Sequence, residues 1–317
     1  MKNIPSHGVR NVLSFCILST LLVFSHAYGQ MQKFPLQNPD LSHKSSFLLS
    51  APDNNLLFFW YSGSTLQQAR STDNGSTWGV ASQLADSLYD LDSLRDINCF
   101  TTSTGRLLLL YKRAYYMLKY SDDNGNTWSS PNKLLTGTSP LNYKNSFAGN
   151  IVQSSSGKIF LLYSKYSGQN VSYIASTDNG ITWSSQNIVL TGPGHGSIVP
   201  LGGSNLQLFY QNKGIYKSLS TDDGLTWQNP GTVISDSGAF APGAVKDQSG
   251  KIWLFYVNNI ATPFNNITQT DIFYRTSTDN GTTWSADSNF TKFKGMDNFY
   301  SISNNANIPF VSFSSNR

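Results

Sequence analysis

The sequence contains no glutamate, because all 18 acidic residues are aspartate. Any carboxylate that acts as an acid, a base or a nucleophile in this protein is therefore an aspartate. The sequence also lacks a phosphate-binding loop, zinc-ligand spacing and the nucleophile motif of serine hydrolases. We therefore expect no cofactor and no metal ion.

Cysteine and net charge are also low. Cys16 and Cys99 are the two cysteines, and Cys16 lies in an N-terminal apolar segment that we expect to be removed. An internal disulfide is therefore not expected. The formal net charge is +4, which gives no case for nucleic-acid binding.

The N-terminus has the features of a secretion signal. Lys2 and Arg10 precede a short apolar run at residues 12–24, and residues 27–29 form a small-x-small cleavage pattern. The run is too short for a membrane span. We predict that residues 1–29 are a signal peptide, that the mature chain starts at Gln30, and that the protein is periplasmic or extracellular.

One eight-residue phrase recurs five times, first at residues 71–78, and each copy fits S-x-D-x-G-x-T-W. Repeats about 50 residues apart are typical of propellers or arrays. The Asp-x-Gly segment favours a tight turn, in which the carboxylate accepts local N–H groups and glycine supplies positive φ. We therefore predict a structural role for the five aspartates, which are Asp73, Asp123, Asp178, Asp222 and Asp279.

The segments before each copy read as three strands, of which the second is the most apolar. Two more strands are predicted at residues 298–303 and 308–314, and no sixth copy follows them. We predict an all-β fold, a six-bladed β-propeller of four-stranded antiparallel blades whose last blade is incomplete, over residues 30–317. Residues 31–41 would add a strand to that blade; an incomplete gene product is the competing interpretation.

The recurring phrase is the Asp-box, and with it the chain resembles the sialidase (neuraminidase) superfamily of BNR-repeat propellers. Xyloglucan hydrolases, sortilin-type receptors and non-enzymatic assembly factors also carry this box, so it specifies a fold better than a function. The resemblance implies that each box lies between the third and fourth strands of a blade, away from the ligand.

The ligand site of such a propeller lies at its mouth. We use this name for the loops that lead into the first strand of each blade and the loops that join strands two and three. Here these loops are basic and aromatic, which suits an acidic sugar; polar solvated loops are the plainer interpretation. The candidate substrate-binding residues are Lys44, Arg95, Arg113, Lys144 and Lys213.

Sialidases use a tyrosine nucleophile with an activating glutamate, an aspartate as acid/base, and three arginines that hold the substrate carboxylate. The Tyr300–Ser301 pair matches the nucleophile in the first strand of the last blade, and Arg95 matches an arginine of the second blade. His195 falls where the glutamate would be. We therefore take His195 as a candidate base for Tyr300 and Asp96 as a candidate acid.

The departures from the sialidase pattern are extensive. Lys44 and Lys213 fall where the family has arginines, and a lysine cannot make a bidentate contact with a carboxylate. The third arginine falls near Asn258 or Asn259, and the loop at residues 61–66 has no acid. A catalytic aspartate pair, as in other glycosidases, remains an alternative. Its candidates are Asp96, Asp236 and Asp297.

Three functions remain open from the sequence. The first is an exported protein that binds glycans or glycoconjugates, which the missing glutamate favours. The second is an active exo-glycosidase of the exo-α-sialidase type with a substituted catalytic set, which Tyr300 and Arg95 favour. The third is a propeller that binds proteins.

Overall fold

In the computed structural model, the chain folds into β-strands joined by turns. The described residues are 12–17, 20–24, 31–35, 46–62, 65–85, 97–112, 116–134, 151–165, 170–191, 195–228, 231–234, 238–260, 269–291, 297–305 and 308–315. Among these residues, no helix is long and apolar enough to cross a membrane.

Five blades each contain four antiparallel strands in chain order. Blade one comprises β4 (Ser46–Ser50), β5 (Leu56–Ser62), β6 (Thr65–Ser71) and β7 (Ser82–Ala85). Blade two comprises β8 (Ile97–Thr101), β9 (Leu107–Lys112), β10 (Tyr116–Ser121) and β11 (Asn132–Lys133). Blade three comprises β12 (Ile151–Gln153), β13 (Ile159–Lys165), β14 (Asn170–Ser176) and β15 (Asn187–Leu190). Blade four comprises β16 (Gly196–Gly202), β17 (Asn205–Gln211), β18 (Ile215–Ser220) and β19 (Gly231–Ile234). Blade five comprises β20 (Ala239–Lys246), β21 (Ile252–Ile260), β22 (Gln269–Ser277) and β23 (Ser288–Asn289).

The remaining strands form one five-stranded sheet, which we call the mixed sheet. Its strands, in spatial order, are β24 (Asp297–Asn305), β25 (Ile308–Ser315), β1 (Val12–Ile17), β2 (Thr20–Phe24) and β3 (Met31–Pro35). β1 runs parallel to β25, whereas the other neighbours are antiparallel. β24 contacts β20 of blade five and β4 of blade one.

The expectation of a six-bladed propeller with an incomplete last blade is therefore wrong, because the chain forms five four-stranded antiparallel blades. The open edge of β25 pairs instead with β1, since an exposed strand edge is a template for any extended segment. β1 and β2 lie within the segment that we expected to be a secretion signal.

The hydrophobic core lies between neighbouring blades. The second strand of each blade is buried on both faces, as in β9, where Leu107, Leu108, Leu109 and Leu110 are fully buried. This explains why second strands read as continuous apolar runs. The box tryptophans of blades two to five pack into the core shared with the preceding blade, whereas Trp78 packs against residues of its own blade. Trp128, for example, meets the Phe59 ring edge-on at 5.9 Å.

The five boxes lie between the third and fourth strands of their blades, as the resemblance implies. The turns between strands one and two lie at the same end, and we call this end the Asp-box face. The first strands surround a central cavity of about 700 Å³, which is also lined by residues of the turns between strands one and two. The mouth is at the opposite end, because strands alternate in direction within each blade.

Candidate functional site

Each box holds its aspartate in a closed set of hydrogen bonds. In blade two, the Ser121 hydroxyl donates to Oδ1 of Asp123 (2.8 Å) and accepts from the N–H of Gly125 (2.8 Å). The N–H and the hydroxyl of Thr127 donate to the two carboxylate oxygens at 2.9 and 2.6 Å. The other four boxes repeat this pattern. The carboxylates therefore use their hydrogen-bonding capacity within the turn.

Donation by the box threonine, first from its hydroxyl and then from its N–H, lowers the pKa of four box aspartates to about 2. The pKa of Asp279 is lowered further for the same reason. A carboxylate with so low a pKa stays ionised at neutral pH and is a poor proton donor. The four aspartates whose pKa is lowered to about 2 are Asp73, Asp123, Asp178 and Asp222.

In blades two to five, a basic or polar side chain of the preceding blade donates a hydrogen bond to the box. Arg70 of blade one donates to the carbonyl of Asn124 in blade two. Arg106 donates to the carbonyl of Asn179 in blade three (3.4 Å). The residue after each box aspartate has a positive φ of 55° to 60°, so its carbonyl points out of the turn towards these donors. Asparagine and aspartate tolerate this conformation better than most residues.

At the mouth, the structure describes two of the predicted site residues, His195 and Lys213. His195 immediately precedes β16, and its carbonyl accepts a hydrogen bond from the N–H of Gln211 (2.9 Å). Burial lowers the pKa of His195 to about 4. The ring is therefore neutral at physiological pH and adds no positive charge to the mouth.

Lys213 lies at the tip of the hairpin between β17 and β18. Its backbone has a φ of 52°, and the residue is exposed. The N–H of Asn212 donates to the carbonyl of Gly214 (2.9 Å), which closes the turn. Below the tip, the rings of Tyr210 and Tyr216 stack at 5.8 Å. This hairpin presents an ammonium group at the mouth on an ordered base.

The other predicted catalytic and substrate-binding residues either lie outside the described part of the chain or have only their backbone described. Lys44, Arg95, Asp96, Arg113, Lys144 and Asp236 lie outside the described residues, and for Tyr300 and Asp297 the structure describes the backbone. Among the described residues, no group of three histidine, cysteine or aspartate side chains could hold a metal ion.

The backbone at Tyr300 is irregular. The pairing of β24 with β25 shifts register between Phe299 and Ser301, so Tyr300 is the extra residue of a bulge. Bulges occur often beside active sites, where they alter the direction of the chain.

A second bulge lies on the first strand of blade five, where Ala241 and Pro242 face one residue of β21. Ala241 has a φ of 53°, an uncommon conformation for alanine. Its N–H donates to Oε1 of Gln211 in blade four (3.4 Å). The sequence analysis did not predict this bulge, although Pro242 lies inside a predicted strand and a proline there is itself a signal of a bulge.

Residues 99–241 match the BNR repeat-like domain family. No curated protein sequence matches the chain. Among solved structures, the Hadza microbial sialidase Hz136 shares 18% identity with a TM-score of 0.59, covering 86% of this chain and 65% of that protein. Residues 99–241 thus resemble a BNR repeat-like domain, and the fold of the chain is similar to that of a sialidase.

Other solved structures resemble this chain at similar levels. The Penicillium chrysogenum α-L-arabinanase complexed with arabinobiose shares 16% identity with a TM-score of 0.54, covering 76% of this chain and 79% of that one. The leech intramolecular trans-sialidase complexed with 2,7-anhydro-Neu5Ac shares 13% identity with a TM-score of 0.57, covering 82% and 62%. The propeller thus spans less than two thirds of Hz136 and of the leech protein.

Proposed function

We propose that this BNR-repeat propeller recognises acidic glycans at its mouth. The observation that carries the proposal is the exposed Lys213 on the ordered hairpin of blade four, beside a histidine that is neutral at physiological pH. An ammonium group at this point attracts a sugar carboxylate, and the stacked tyrosines below it keep the hairpin rigid. The sialidases and the arabinanase with similar folds support a carbohydrate ligand.

We further propose that ordinary sialidase turnover is absent or very weak. Lys44 and Lys213 replace arginines of the sialidase pattern, and the loop at residues 61–66 supplies no acid. If His195 took the proton of Tyr300, a charge would form on a buried ring, which its lowered pKa opposes. The box aspartates do not fill this gap, since they serve the turns at the other end of the blades.

An exo-glycosidase with a substituted catalytic set is the second candidate, and the bulge at Tyr300 favours it. Bulges and irregular backbone positions are frequent at active sites, which is consistent with a catalytic role for Tyr300. Asp96 would then act as the acid, with Arg95 and Lys144 among the groups that hold the substrate.

A glycan array tests the proposal. Purified protein should bind glycans that carry sialic or uronic acids and should bind their neutral counterparts at least about tenfold less. Lys213→Ala should weaken this binding, whereas Lys133→Ala, an exposed lysine on the outer strand β11, should not. Equal binding of neutral glycans, or no effect of Lys213→Ala, would contradict an acidic-glycan site at the mouth.

We also propose that the protein is exported and that residues 1–29 are removed as a signal peptide. Intact-mass measurement of the protein recovered outside the cytoplasm should give a chain that starts at Gln30. A chain that retains residues 12–24 would instead assign β1 and β2 permanently to the mixed sheet.

A further inference from the structure

The junction between blades four and five contains a cleft where the two preceding junctions have a long basic side chain. In blade two, Arg106 directly precedes the second strand and donates to the carbonyl of Asn179 in the next blade (3.4 Å). In blade three, Lys158 has this position and donates to the carbonyl of Asp223 (3.1 Å). Blade four has the short Asn205 there, and Asn205 lines a cleft of about 460 Å³ on the Asp-box face.

A lysine replaces neutral residues in the same cleft. Gln68 and Tyr173, three residues before the box serine in blades one and three, each donate to the box glycine carbonyl of the next blade, at 2.9 and 3.0 Å. Blade four has Lys217 at this position, and its ammonium group donates to the carbonyl of Gly281. An ammonium group has three N–H donors, so this hydrogen bond leaves capacity for a ligand.

The cleft also differs from earlier junctions in its charge. Arg70 is paired with Asp53 at 2.9 Å, and Arg106 is paired with Asp122 at 2.7 Å. Among the described residues that line the cleft, none is an aspartate. The ammonium group of Lys246, which lines the central cavity, donates to Oδ1 of Asn280, one of the cleft residues (3.1 Å). Lys217 is therefore the one charged side chain among the described residues that line the cleft.

We propose that this cleft is a second binding site, for the anionic group of an acidic saccharide, either a uronate carboxylate or a sulfate ester. The volume is within the range of small-ligand sites. Lys217 would contact the anionic oxygens, and charge-assisted hydrogen bonds of this kind are about twice as strong as neutral ones. The side chains of Asn205, Gln228 and Thr282, which line the cleft, supply donors and acceptors for sugar hydroxyls.

This site is distinct from the mouth, because the Asp-box face is the opposite end of the blades. A propeller with one acidic-saccharide site at each end could connect two glycan chains, or two parts of a polymer. Such bivalent binding raises the apparent affinity without any new contact.

A ligand-observed NMR titration tests the second site in the Lys213→Ala background, which removes the ammonium group of the mouth, with glucuronate, glucose 6-sulfate and glucose as probes. Both anions should bind, and glucose should bind at least about tenfold more weakly. Lys217→Gln removes the charge but keeps a donor for the Gly281 carbonyl, just as Gln68 of blade one donates to the equivalent carbonyl of Gly125. This variant should weaken binding of the anions by about tenfold or more. Lys158→Gln, the matched lysine of the preceding junction, should leave the affinity unchanged.

Asn205→Met in the same background provides a second test, since a longer, uncharged side chain fills the cleft without adding a charge that would itself attract an anion. It should abolish anion binding at the cleft while the melting temperature stays near that of Lys213→Ala alone. Because the ammonium group of the mouth is removed in this background, failure here can be told apart from failure of the mouth site. Equal binding of glucose, or unchanged affinity in both Lys217→Gln and Asn205→Met, would overturn the proposal.

Discussion

The hydroxyl of Ser176 lies 2.8 Å from Oδ1 of Asp178 and donates a hydrogen bond to it. The same hydroxyl accepts from the N–H of Gly180 at 2.9 Å, and Ser176 is almost fully buried. The serine thus connects the carboxylate, the glycine turn and the end of the third strand. This connection explains why serine begins every box.

Ser176→Ala should destabilise the fold without affecting the mouth. The substitution leaves the buried N–H of Gly180 without its acceptor, which costs about 1–3 kcal/mol. Thermal unfolding should show a lower melting temperature for Ser176→Ala and little change for Thr177→Ala, an exposed neighbour. Equal melting temperatures for Ser176→Ala and the wild type would contradict the role assigned to this hydroxyl.

Gly180→Ala should destabilise the protein more than Gly157→Ala. Both glycines have a left-handed φ, of 84° and 88°, so both substitutions carry a similar backbone strain of about 1–2 kcal/mol. A Cβ at Gly180 would lie 2.7 Å from Cδ2 of Leu108, whereas a Cβ at Gly157 would have no atom within 4 Å. Chemical denaturation of both variants measures the packing contribution directly. A larger loss in Gly157→Ala would show that the box does not pack against blade two as described.

The box aspartates should make stability depend on pH below about 4. The pKa of Asp178 falls from 3.8 to about 2 on folding, because Thr182 donates to the carboxylate. Its contribution is therefore complete above pH 3.8 and is lost as the pH falls towards 2. The difference in melting temperature between the wild type and Asp178→Asn should be largest above pH 4 and should shrink towards pH 2. A difference that stays constant over this range would contradict the lowered pKa.

His195 should titrate far below an ordinary histidine. Burial lowers its pKa from 6.5 to about 4, so folding favours the neutral ring. The linked stability is complete above pH 6.5 and is lost as the pH falls towards 4. The Cε1–H signal of His195, assigned by its loss in His195→Gln, should have a titration midpoint near 4. A midpoint near 6.5 would show that the ring is solvated and able to carry charge at the mouth.

Much of the fold could be predicted from local sequence patterns. The three strands predicted before the first box correspond to Ser46–Ser50, Leu56–Ser62 and Thr65–Ser71, and each box lies at the turn that the resemblance implies. The number of blades could not be predicted, because the partner of β25 comes from the other end of the chain. Local periodicity describes the face of a strand but not its distant neighbour. Fourth strands such as Asn132–Lys133 are too short to show periodicity.

The candidate site was less predictable than the fold. His195 was a candidate from its loop, but its neutral state depends on burial that a sequence does not display. Ala241 adopts its strained conformation within a bulge, where blade four supplies a hydrogen bond from Gln211. Lys217 and Asn205 could have been found by comparing the repeats position by position, since Lys217 replaces the neutral Gln68 and Tyr173, and Asn205 replaces the long basic Arg106 and Lys158.

The release of 4-methylumbelliferone from its sialoside by purified protein tests the central claim most directly, which is glycan recognition without ordinary sialidase turnover. The transition state needs carboxylate binding, nucleophile activation and acid assistance together, and acid–base assistance alone contributes about 10²–10⁴ in rate. A tyrosine with an unperturbed pKa near 10 is a poor nucleophile at neutral pH. We predict no release above background, with Tyr300→Phe indistinguishable from the wild type. Robust release that Tyr300→Phe abolishes would contradict the account and establish an enzyme with a substituted catalytic set.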